Sequence, residues 1–175
     1  MNSQNFLSKR TNHNIRILKF IVRDIINFLI ENNLWLDISI YANKTCFTSI
    51  KPNMEQSDYN TREILTEHNS GIVYYYKDEA SNYTQYCNGL VTMIFEGPLY
   101  HVLNYYDSMN YCNEIIMKFE ELLKRYGLYY ELGNAWNLGL YEISEGSFIK
   151  TLHTRVINSY SGWHESYERL FNQHN

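Results

Sequence analysis

Between Asn14 and Asn32 the apolar residues recur at intervals of three and four: Ile15, Leu18, Val22, Ile25, Ile26 and Leu29. Arg16, Lys19, Arg23 and Asn27 fall on the other side. This spacing predicts an amphipathic helix, and Phe20, Ile21, Phe28 and Ile30 widen its apolar face enough to bury it on more than one side. Glu31-Asn32-Asn33 ends it, because asparagine tolerates the left-handed conformation common at helix C-termini. The period then drops to two. Leu34, Leu36, Ile38 and Ile40 point one way, and Trp35, Asp37, Ser39 and Tyr41 the other, which predicts a half-buried strand. Asn43-Lys44 turns the chain, and Thr45 to Ile50 returns as the second strand of a hairpin.

Residues 51–69 are polar and acidic around Pro52, with a short helix from Thr61 to Glu67. Gly71 to Lys77 reads as a strand and the cluster Asp78 to Asn82 as a turn. Tyr83 to Cys87 and Leu90 to Phe95 form the returning strand or strands about Asn88-Gly89. Gly97-Pro98 opens a helix through Tyr105, and a second helix runs from Asn110 to Tyr126. The apolar stripe of that second helix is Ile115, Ile116, Phe119, Leu122 and Leu123, and Gly127 caps it. Tyr129 to Leu132 and Trp136 to Ile143 make a last hairpin around Gly133-Asn134. Residues 147–174 hold a strand or helix and then a terminal helix from Gly162. The order favours an α+β fold: an antiparallel sheet of about 4–6 strands with helices packed mainly on one face. The chain divides into a mobile leader, 1–11, and one domain, 12–175.

Composition fits that picture. The 175 residues are 45% apolar and 19% charged, as in a globular chain. The stretch Ile15 to Ile30 carries too many charges to span a bilayer, and the N-terminus has no secretory pattern, so a cytoplasmic location is expected. Cys46, Cys87 and Cys112 are odd in number and far apart, which argues against a disulfide framework. Charge is unevenly spread. Residues 1–23 hold five basic residues and no acid, whereas the other 152 hold 10 basic and 19 acidic, a net of −9.

Candidate chemistry is sparse. The six histidines show no ligand spacing, no CxxC occurs, and His164-Glu165 lacks the second histidine of a zinc-protease helix, so no metal or other cofactor is expected. Cys112 and His101 lie on adjacent predicted helices, but nothing in the sequence brings them together. Glu142 and Glu145 close a strand and could face a cleft, although a solvated strand end explains them as well.

Two features point to binding. Arg16, Lys19 and Arg23 form a stripe able to neutralise phosphates, against the plainer reading of a solvated helix face. Tyrosine occurs 17 times, including Tyr74-Tyr75-Tyr76 and Tyr105-Tyr106. Alternation along a strand puts at least one of the triplet on each face. Tyrosine supplies large, rigid contact area with a polar tip, and on an acidic surface it suits a basic partner such as a nucleic-acid enzyme.

The blocks YTQYCNGLVTMIF, FEGPLYHVLNYY and KFEELLKRYGLYYELGNAWNLGLYEI resemble small proteins of phages and integrated elements of Gram-positive bacteria, a set that includes anti-CRISPR inhibitors of Cas9. The resemblance covers less than half the chain and includes no catalytic signature. It implies a non-catalytic antagonist of host defence that binds an effector nuclease such as Cas9, or its nucleic-acid complex. Two alternatives stay open: a nucleic-acid-processing enzyme using carboxylates and His101, and a regulatory or structural module of a mobile element.

Overall fold

The computed structural model describes residues 18–104 and 110–144. The expected leader 1–11, the start of the first helix, Tyr105 and Tyr106, and the elements expected over 147–174 lie outside them.

Helix α1 spans residues 18–31. It buries Ile21, Val22, Ile25, Ile26, Leu29 and Ile30, on both flanks of the predicted stripe, each side chain contributing about 1.5–3 kcal/mol. Asn33, with φ 57°, ends it in the left-handed conformation. Strand β1, Ile38–Ala42, starts four residues later than the alternation suggested. Asp37 also has a positive φ, 54°, so the link from α1 is a loop and Leu36 stands 55% exposed instead of joining the core. Asn43 and Lys44, at φ 46° and 61°, make the tight primed turn that matches the twist of paired strands, and β2 follows at Thr45–Thr48.

The segment expected to be a short helix at Thr61–Glu67 is a strand instead. β3, Asn60–Leu65, pairs antiparallel with β4, Ser70–Lys77. Burial alternates with period two from Thr61 to Leu65 although the residue types do not, and six paired positions outweigh the weak helical preference of one short segment. β5, Val91–Phe95, forms as expected, but Tyr83 to Cys87 is loop, not strand, preceded by one 3-10 turn at Ala80–Asn82. Helices α2, Gly97–Asn104, and α3, Asn110–Lys124, follow, and Gly127 leaves α3 at φ 69°. β6, Leu128–Asn134, and β7, Asn137–Glu142, close the described chain. Their turn is Ala135-Trp136, not Gly133-Asn134, because Gly133 is absorbed by an irregularity between Leu132 and Asn134.

All pairings are antiparallel, in the order β3-β4-β2-β1-β5-β7-β6, so the α+β class stands with seven strands where four to six were expected. The three described helices share one face. Ile38, Ile40, Met93, Phe95, Leu138 and Leu140 from the central strands join Leu29, Leu99, Phe119 and Leu123 in one buried cluster. Among the described residues no helix is long and apolar enough to cross a membrane.

Candidate functional site

Strand alternation that aims Ile38, Ile40 and Met93 at the helices sends their neighbours to the opposite side. Register makes that side continuous. Tyr41 lies across from Cys46 and Thr92, Cys46 from Tyr76, and Thr48 from Ser39 and Tyr74. Ile94 pairs with Asn137, and Tyr129 with Tyr141. Five strand tyrosines, Tyr41, Tyr74, Tyr76, Tyr129 and Tyr141, therefore share the face that carries none of the described α-helices, called the helix-free face below. Loop residues add three more. Tyr59 meets Tyr74 edge-on at 5.8 Å, Tyr83 lies 5.7 Å from Tyr41, and Tyr86 sits against Gly133.

The middle of this face is a small second cluster of Tyr41, Cys46 and Ala80, with Tyr76, Cys87 and Ile94 against it. Burial pushes the phenols of Tyr41 and Tyr76 well above the ordinary tyrosine range, and both also interact with the Cys46 thiol. Burial raises the Cys46 thiol as well, and outweighs its hydrogen bonds with Tyr76, Tyr41 and Ser39, so it stays a thiol and is a poor nucleophile at neutral pH. Tyr83 donates to Asp78 Oδ2 at 2.8 Å, and that bond is the main reason its phenol holds its proton. The loop carrying Tyr83 and Tyr86 is pinned to the sheet from below, where Asn137 Nδ2 donates to Thr84 Oγ1 at 2.7 Å.

Beside the cluster lies a hollow of about 450 Å³. Ser39 and Thr48 form its floor, joined by a 3.0 Å hydrogen bond. Tyr41, Tyr76, Tyr83 and Trp136 line it together with Ile50, Pro52 and Ile94, and Glu96 is the one charged lining residue among the described residues. Trp136 is brought there by the β6–β7 turn, where its carbonyl accepts from the Phe95 N–H at 2.9 Å.

The predicted binding residues separate. Tyr74 and Tyr76 are on this face, while Tyr75 is on the helix side and stacks on Phe47 at 6.2 Å. Lys19 and Arg23 lie on α1, across the sheet from it. Arg23 Nε donates to Asp24 Oδ1 at 2.9 Å, its guanidinium sits 5.6 Å from the centre of the Phe20 ring, and Asp24 also accepts from the Tyr126 hydroxyl. Asp24, held by Arg23, thus ties α1 to the turn that follows α3. Arg16, Tyr105 and Tyr106 lie outside the described residues.

The candidate enzyme groups do not converge. Cys112 is buried in the main core and His101 is exposed, packed edge-on against Tyr100 at 5.4 Å. Glu142 pairs with Leu128 in the ladder, and Glu145 lies outside the described residues. A larger hollow of about 900 Å³ between α1 and α3 mixes Glu31 and Glu121 with Lys118, Lys124 and Arg125, a lining of no consistent charge. Among the described residues no group of three or more His, Cys, Asp or Glu could hold a metal ion.

Tyr83, Glu96 and Trp136 were not singled out in the sequence, because three separate loops and turns bring them together. Tyr41 was legible: it sits opposite Ile38 and Ile40 in the first alternating run. No family model, curated protein or solved structure matches this chain.

Proposed function

We propose that the protein is a non-catalytic binding protein of a mobile element, which inhibits a host defence nuclease such as CRISPR–Cas9 by seating its tyrosine face on the effector. The observation that carries this reading is the composition of the helix-free face. It concentrates eight tyrosines, and its strand positions include Glu63 and Glu131 but no lysine or arginine among the described residues. The described residues as a whole hold 9 basic and 15 acidic side chains, a net of −6. Rigid amphipathic rings on a negative field suit a protein that is basic because it handles nucleic acid. The same field repels nucleic acid itself, so the contact is with the effector protein. The resemblance of residues 83–143 to anti-CRISPR proteins supplies the particular effector.

The test is capture of Cas9 by the tagged full chain from a lysate containing Cas9 and guide RNA, with and without nuclease treatment. Recovery in both samples is expected. Recovery that vanishes with nuclease would point to an RNA bridge, and no recovery in either would remove Cas9 as the target.

A further inference from the structure

The hollow on the tyrosine face has the chemistry of a cation receptor. Tyr41, Tyr76, Tyr83 and Trp136 present aromatic walls, and an aromatic ring carries its negative charge on its faces. Among the described residues Glu96 is the only charged group in the lining, and no ion pair engages it. The floor hydroxyls are already spent on each other and on the Ile38 carbonyl, which Thr48 Oγ1 reaches at 2.8 Å. A volume of about 450 Å³ suits one long side chain with part of its hydration.

An anionic or phosphate-bearing ligand would meet Glu96 inside, and Glu63 and Glu131 on the same face. We infer that this hollow takes the guanidinium of an arginine on the partner's surface, laid against the exposed rings of Tyr83 and Trp136 and paired with Glu96. Arginine is favoured over lysine because its planar head stacks on aromatic faces and meets a carboxylate with two parallel hydrogen bonds. The inference deepens the binding reading above and rests on it for the identity of the partner, but the receptor chemistry can be measured without any partner.

N-acetyl-arginine-N-methylamide and its citrulline counterpart, which is isosteric but uncharged, would each be titrated into the full chain. The readout is the indole ¹⁵N–H resonance of Trp136, assigned with Trp136→Phe. A saturable shift with the arginine probe is expected, with the citrulline probe about fivefold weaker or worse. Glu96→Gln should weaken the arginine probe about tenfold while leaving the rest of the spectrum in place. Equal response to the two probes, no saturation, or an unchanged affinity in Glu96→Gln would each overturn the inference. Arginine binding without Cas9 capture would sink the proposed effector alone. Cas9 capture without probe binding would sink the arginine hollow alone.

Discussion

Tyr41 and Tyr76 flank Cys46 across two successive strand pairings, and the three side chains exclude water from one another. Burial is the leading cause of the upward shift of both phenols from the ordinary value of 10.0. Above that pH the unfolded chain releases these protons while the folded chain retains them, so raising the pH favours unfolding. Their contribution is complete below about pH 10 and is lost as pH climbs toward the folded values. The urea midpoint, followed by far-UV circular dichroism, should stay flat from about pH 7 to 8, begin to fall near pH 9 as the unfolded chain releases the Cys46 proton, and fall more steeply beyond about pH 10. Tyr41→Phe should make that fall shallower. A midpoint that ignores alkaline pH, or a variant with an identical slope, would show that these phenols titrate normally. That the tyrosine triplet splits between faces was readable from alternation alone. The bond from the Tyr126 hydroxyl to Asp24 was not, since it joins residues 102 apart and depends on where two helices end.

At the scale of elements, period and turn chemistry were the reliable signals. The α1 stripe, the Asn43-Lys44 hairpin and the α3 stripe all carried strong local patterns, and all three formed. Two of the misreadings, at Thr61–Glu67 and Gly133-Asn134, share one cause: a partner strand or loop decided the outcome. Thr61–Glu67 has too few residues to show a helical period, and pairing with β4 settles it as a strand. Gly133 looked like a turn residue but serves a crossing instead. A Cβ there would stand 2.3 Å from Asn137 Oδ1 and 2.5 Å from the Tyr86 Cβ. Gly133→Ala should therefore cost about 2–3 kcal/mol in chemical denaturation. The same substitution should cost less in a Tyr86→Gly background, because that change removes both the Tyr86 Cβ and the ring. If Gly133→Ala is as stable as the parent, the loop from Tyr83 to Cys87 is not held to the sheet in this way.

Over the whole molecule, the sheet separates two tasks. One face buries the helices and accounts for the main core. The other keeps a thin tyrosine–cysteine cluster and, among the described residues, leaves rings, a hollow and carboxylates uncovered. The charge split seen in the sequence belongs to this scale. Within the basic stripe Arg23 is held by Asp24, and α1 lies across the sheet from the tyrosine face. The hollow had no sequence signature at all, because β1, the 80–87 loop and the β6–β7 turn must meet before Tyr41, Tyr83 and Trp136 line one space.

The central claim is that the helix-free face, and not the helical side, engages a basic effector. It is tested most directly by charge reversal on each side in turn. Glu63→Lys with Glu131→Lys alters the tyrosine face, and Glu114→Lys with Glu121→Lys alters the outer surface of α3 as a matched control. Affinity for the Cas9–guide RNA complex would be measured for both double variants at fixed ionic strength, with circular dichroism to confirm folding. The account predicts a loss of tenfold or more, about 1.4 kcal/mol, for the first pair and little change for the second. Equal affinity for both, or a loss confined to the α3 pair, would contradict it.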